Sequence, residues 1–331
     1  MSFGGDIKCS DLLGEGWEKN AAYLWGIPLH PMGELNSLDY IMLAQGNPEE
    51  MRARSGSLSM QLMFNVIFAF IFSRSLYLSI RMTYRRHRML ASWCCVLQAA
   101  AGVVYSLSSL AANLPNGPSC RATLWITGVG ATISTLCVGS TLLQKAYAAH
   151  QRNRWLLVIG IILLLPQPII IYIAWTSPGL MTSVGGCLSC FPSYLPWVKL
   201  AMDLPINMVF SIAFLAVVYR QYRRYGLTAW ARLVRNGIQT MCLVVLSNLI
   251  CTFGVAFEVA GMLSEFFFIL DWVVTSVLLV HHCNSMCTAT ERTVKTRGPR
   301  FWRKSSQAET SRAWIDSTQY TDSVQHTTFK Q

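Results

Sequence analysis

The sequence predicts an all-α membrane protein, a seven-transmembrane helix bundle with its N-terminus outside and its C-terminus cytoplasmic. Three observations carry that prediction. Only 13% of the 331 residues are charged and 53% are hydrophobic, whereas a typical soluble domain is about a quarter charged. Apolar stretches of about twenty residues recur along the chain, long enough as helices to cross a hydrocarbon core of about 30 Å. The basic residues gather in alternate connections, which is the bias that cytoplasmic loops show.

The spans fall at about 58–80, 89–112, 120–147, 155–175, 198–219, 238–261 and 265–283. Arg74, near the inner end of the first, can snorkel its guanidinium to the interface. The fourth contains Pro166 and Pro168, and each removes a backbone donor, so a kink is expected there. The 81–88 loop has four Arg, the 145–154 segment has Lys145, Arg152 and Arg154, the 220–235 loop has five Arg, and residues 284–331 hold eight Lys or Arg. The opposite connections hold Arg121 and Lys199, and residues 1–56 carry four basic against eight acidic side chains. Every alternation agrees on one orientation.

Four segments follow from this reading. Residues 1–57 form an extracellular N-terminal segment without the basic and apolar regions of a cleavable signal peptide, so the first span is expected to serve as its own insertion signal. Residues 58–283 form the bundle. Residues 284–304 form a basic juxtamembrane segment that can lie on the membrane as an amphipathic helix, with Cys283 and Cys287 placed for acylation. Residues 305–331, rich in Ser and Thr and poor in apolar residues, are expected to be a disordered, phosphorylatable tail. The pI of about 9.3 therefore describes a cytoplasmic face suited to acidic lipids, not a nucleic-acid surface. The topology implies a multi-pass protein, with the plasma membrane as its expected location.

Of the 11 cysteines, Cys9, Cys120, Cys187 and Cys190 fall on the outer side, where disulfides form. Cys120 opens the third helix, and a bridge to Cys187 or Cys190 would pin the long outer loop over the bundle. Four cysteines allow three connectivities, and spacing does not choose among them. The Cys187–Cys190 CxxC lacks the second pair or histidine that a metal site needs, and no cofactor is implied.

Seven helices, an external N-terminus and a cysteine opening the third helix opposite cysteines in the second outer loop resemble a G-protein-coupled receptor. In the rhodopsin-like branch an acidic-Arg-Tyr motif lies about seven turns past that cysteine. Here Gln144, Lys145, Ala146 and Tyr147 occupy the place, with Lys145 25 residues after Cys120. Gln144 replaces the acid, so the ion pair that restrains the family's arginine is missing. The seventh span ends VLLVHHCNSM without Asn-Pro-x-x-Tyr, Gly254 stands where a proline kink belongs in the sixth, and the second span has no acid. The whole is similar to the divergent orphan receptor-like proteins of fungi. The resemblance implies no enzyme activity, and it implies a heterotrimeric G protein or another cytoplasmic effector as partner. Gln144, Lys145, Tyr147, Arg220, Arg223 and Arg224, beside Arg232 and Arg235, are the candidate coupling residues.

Charges inside a bilayer are costly and mark function by default. Asp203, Glu258 and Asp271 lie in the outer halves of the fifth, sixth and seventh spans, where receptors of this architecture bind ligands. An acidic cluster there favours a cationic extracellular ligand. Glu265 suits the N-terminus of the seventh helix. Asn65, Asn207 and Asn248 suit hydrogen bonding between helices. The competing class is a transporter or channel for a small solute. No repeat relates the first three spans to the last three, as inverted-repeat transporters would have it. A retinal protein needs a lysine in the seventh span, and 265–283 has none. Adjacent His281 and His282 point about 100° apart on a helix, poor geometry for joint metal ligation or for intramembrane catalysis.

Overall fold

The computed structural model describes residues 13, 16–17, 21–85, 89–149, 154–225, 238–257, 259, 261, 264 and 266–296; within these helices the side chains of 85, 148–149, 214, 217–218, 220–222, 224–225 and 286–296 are not described. Two compact units divide the chain, 1–286 and 287–331. The described part of the second is the end of the last helix.

The elements in order are β1 (Ala22–Leu24), β2 (Ile27–Leu29), α1 (Ser37–Met42), α2 (Pro48–Arg85), α3 (Leu90–Ala111), α4 (Cys120–Ala149), α5 (Arg154–Leu164), α6 (Ile169–Thr176), β3 (Gly179–Thr182), β4 (Gly186–Ser189), α7 (Leu195–Tyr225), α8 (Ile238–Ala256) and α9 (Phe266–Thr296). Among the described residues, six helical segments are long and apolar enough to cross a membrane: Pro48–Tyr84, Leu90–Ala111, Cys120–Tyr147, Arg154–Thr176, Gln239–Ala256 and Phe266–Ser285. The chain is therefore an integral membrane protein. α7, a 31-residue helix with Pro205 inside it, occupies the segment expected to be the fifth span.

Three elements differ from the sequence reading. α2 begins at Pro48, ten residues before the hydropathy boundary. Asn47 accepts from the Glu50 amide, Pro48 takes the first helical position, and Glu49 and Glu50 face the positive end of the helix dipole. Around Pro166–Gln167–Pro168 the fourth span is broken into α5 and α6 rather than bent, because two missing donors fall within three residues. α9 is one helix from Phe266 to Thr296, running past the expected end of the last span at 283. The 305–331 tail, with Glu258, Glu265, Arg232 and Arg235, lies outside the described residues.

Two small antiparallel hairpins add to the all-α plan. β1 pairs with β2, and β3 pairs with β4 in the register Gly179 to Ser189 and Thr182 to Gly186. Gly33 lies so close to the β3 backbone that an added Cβ would stand 2.2 Å from the Gly179 carbonyl oxygen, which only glycine allows. The α4 N-terminus is capped by Ser119, and Thr127, Thr132, Thr135 and Thr141 return their hydroxyl protons to carbonyls four residues back. Polar side chains are thus satisfied within a helix that lies in lipid.

The main core joins all these long helices, with Met82, Cys95, Leu142, Ala146, Phe210, Val244 and Leu279 at its centre. A second cluster packs Phe68, Phe72 and Tyr105 around Trp272, whose ring sits where a Cβ on Gly130 would lie 2.3 Å away. Lipid tails are as apolar as these side chains, so close packing rather than exclusion from water holds the helices together.

Candidate functional site

The interior of the bundle between α4 and α9 carries a continuous set of polar groups. Lys199 and Asp203 are one turn apart on α7, and Lys199 Nζ lies 2.7 Å from Asp203 Oδ2. Both are buried, at 9% and 3% exposure. Gln167, held by the break between α5 and α6, donates from Nε2 to Asp203 Oδ1 at 2.9 Å, and the Thr252 hydroxyl on α8 reaches Oδ2 at 3.5 Å. Breaking the fourth span between two prolines is what turns the Gln167 amide inward at this level.

A second chain starts one turn further along α7. Asn207 Nδ2 donates to Asn248 Oδ1 at 2.7 Å, and Asn248 Nδ2 donates to Asp271 Oδ2 at 3.2 Å, joining α7, α8 and α9. Asp271 Oδ1 is shielded from solvent and has no hydrogen-bond partner among the described residues. Asp203 and Asp271 line one cavity of about 20 Å³ with Ser134, Thr135, Asn207, Asn248 and Thr275. That volume holds about one water molecule. The structure therefore brings together two of the three acids singled out from sequence. It shows Asp203 already neutralised by Lys199, a residue that the sequence reading placed only as an outer-loop charge. The i to i+4 spacing of Lys199 and Asp203 was the available signal.

Asn65 and the other two asparagines do join helices: the Tyr105 hydroxyl donates to Asn65 Oδ1 at 3.1 Å. Gln98 on α3, not singled out from sequence, donates to Ser134 Oγ on α4 at 2.8 Å.

At the N-terminal end of α4 a disulfide joins Cys120 to Cys187, which resolves the alternatives the sequence left open. It ties β4 to the first residue of α4. Cys190 is also disulfide-bonded. Cys187 N further donates to Gln61 Oε1 on α2 at 3.2 Å, so the hairpin is fixed to two helices.

At the opposite end of α4, Gln144, Lys145 and Tyr147 are all half-buried. Gln144 Oε1 is shielded and without a partner among the described residues. Lys145 lies within electrostatic reach of His282 and Cys283 on α9. His282 is 2% exposed with neither ring nitrogen hydrogen-bonded to a described residue, while His281 is exposed. Cys283, expected to be available for acylation, is instead buried, with its Sγ 3.6 Å from Cys95 Sγ on α3. Arg223 is exposed; the side chains of Arg220 and Arg224 are not described.

Fold and interior together define a polytopic helical membrane protein with a charged, hydrogen-bonded centre. No family model matches the chain, and no curated protein matches it.

Proposed function

We propose that the protein is a seven-span receptor of the G-protein-coupled type, N-terminus outside, that binds an extracellular ligand and signals to a heterotrimeric G protein or similar cytoplasmic effector. One observation carries the reading. α4 runs without a break from the disulfide at Cys120 to Lys145, about 37 Å along its axis, and ends beside α9. A rigid rod fixed to an outer loop hairpin and packed against another span at its far end is a means of relaying movement across a bilayer.

The Asn207–Asn248–Asp271 chain and the Asp203 cluster form the resting latch. A cavity of about 20 Å³ admits no organic ligand, so agonist contact with Asp203 and Asp271 requires a second, opened arrangement of α7, α8 and α9. A ligand that favours that arrangement shifts the population toward it and opens the face carrying Lys145 and Arg223. Without an acid at Gln144, restraint of Lys145 falls to α9 rather than to a sequence neighbour.

A cation-coupled solute transporter is the second reading, favoured by Asp271 Oδ1, which has no hydrogen-bond partner among the described residues and shares a cavity with Leu164 at the end of α5, where the fourth span breaks. Co-purification of a heterotrimeric G protein, lost in Lys145→Ala at unchanged expression, supports the receptor. Saturable solute flux into proteoliposomes containing the purified protein, abolished in Asp271→Asn, supports the transporter and sinks the receptor.

A further inference from the structure

β1 and β2 meet in a two-residue turn, Trp25–Gly26, with φ of 52° and 80°. Turns with two positive φ values match the twist of a hairpin, and Asn, Asp or Gly normally takes the first place because a larger side chain is strained there. A tryptophan in this conformation costs about 1 kcal/mol. It is also 79% exposed, and neighbouring Tyr23 is 62% exposed. In bulk water neither property helps a hairpin.

The indole is not isolated. Trp25 stacks on Trp125, with centroids 6.1 Å apart and planes 17° apart, and Trp125 stacks on Trp175 at 5.4 Å. Arg121, which bridges to Glu34, lies 4.5 Å over the Trp125 ring, and Trp175 Nε1 donates to the Trp125 carbonyl. Trp125 is about 7.5 Å inside one end of the Cys120–Tyr147 span, and Trp175 is one residue from the adjacent end of Arg154–Thr176. Few residues of that second span are fully buried within the protein, and Trp155, Ile161, Ile162, Leu165 and Tyr172 along it are exposed, as a lipid-facing helix requires. β2 packs beside its final helix, α6. The stack thus runs from the half-buried end of that span, where Ile173–Thr176 lie, to the exposed tip of the hairpin.

We propose that the β1–β2 hairpin is a membrane-interface anchor, with Trp25 seated among the lipid headgroups of the leaflet that meets the Cys120 and Thr176 ends of the spans. Indole suits that depth because its ring is apolar and its N–H can still reach water or a lipid carbonyl. Contact with lipid offsets the strain that the turn imposes on Trp25. The anchor depends only on the chain being a membrane protein, not on its being a receptor.

Fluorine NMR on the full chain, labelled with fluorotryptophan and embedded in phosphatidylcholine nanodiscs, tests this. Among 11 tryptophans, the Trp25 line is the one missing from both Trp25→Asn and Trp25→Gly, substitutions that the turn favours. A lipid bearing a nitroxide near the top of its acyl chain is expected to remove most of that line's intensity, and more than a soluble gadolinium chelate does. Equal broadening by the two reagents, or stronger broadening by the chelate, places Trp25 in water and overturns the proposal.

Discussion

Removing one charge of the Lys199–Asp203 pair destabilises the bundle far more than removing both. Each partner is almost fully buried, and they meet at 2.7 Å. Breaking a buried pair from one side typically costs about 3–5 kcal/mol, because the remaining ion keeps its desolvation cost. Lys199→Met leaves the Asp203 carboxylate with two donors, Gln167 and Thr252, so its loss belongs near 3 kcal/mol. Asp203→Asn keeps an acceptor for Gln167 but strands the ammonium, which places it toward the upper end of the same range. At roughly 2–4 °C per kcal/mol, each single variant loses at least about 6 °C in melting temperature. The double variant returns to within about 1–2 kcal/mol of the parent, since neither member of the pair is left as a lone ion. A thiol-reactive dye in detergent micelles reads the transition directly, because Cys94, Cys95, Cys137, Cys251 and Cys283 are buried free thiols that unfolding exposes. Single-variant shifts below about 2 °C, or a double variant that loses the sum of the singles, would refute the pair's role in this interior.

Three further outcomes follow from the structure. Asp271→Asn is expected to leave stability unchanged or raise it by about 1 kcal/mol in the same melting assay, since Asn can still accept from Asn248 while a neutral NH2 replaces the buried carboxylate oxygen that has no partner among the described residues. Gly130→Leu is expected to lose about 1–3 kcal/mol or more by collision with Trp272, which is 1% exposed and hemmed by Phe72 and Tyr105; a chemical-denaturant series of the variant checks it. Burial holds His30 below the ordinary histidine range against a partly opposing hydrogen bond to the Leu13 backbone, and its Nδ1 accepts from Met32 N. The folded state therefore binds fewer protons than the unfolded one: the contribution of His30 is intact above pH about 6.5 and is lost as pH falls through its lowered value. Protection of the Met32 amide from hydrogen exchange should drop on acidification in the parent and stay level in His30→Asn, which keeps an acceptor at the cap.

The long helices were legible because twenty-residue apolar runs have few other uses, and the proline pair located the break in the fourth span. Asp203 and Asp271 stood out for the same reason, as charges where charges are expensive. Their partners did not. Asn248 was readable as a hydrogen-bonding residue, but its bond to Asp271 depends on how α8 and α9 are rotated, which hydropathy does not encode. Lys199 was counted with the outer connections for orientation although it lay at the very start of the 198–219 span, so its one-turn relation to Asp203 went unread; α7 begins at Leu195 and carries both residues. The Asn47–Pro48–Glu49–Glu50 start of α2 carried a plain capping signal that the apolar boundary ten residues later obscured. Neither hairpin was visible: a Trp-Gly turn and strands of three or four residues lack the alternation and the Asn-Gly signature that mark such elements.

The central claim is that the face holding Lys145 and Arg223 receives a cytoplasmic signalling partner, and site-specific photocrosslinking from Arg223 in native membranes tests it most directly. Arg223 is exposed, so a benzophenone side chain there is tolerated by the fold. The account predicts a crosslink to a G-protein α subunit that disappears in Lys145→Ala and when guanine nucleotide dissociates the complex. Crosslinks confined to lipid or to other copies of the chain, with Lys145→Ala indistinguishable from the parent, would contradict it.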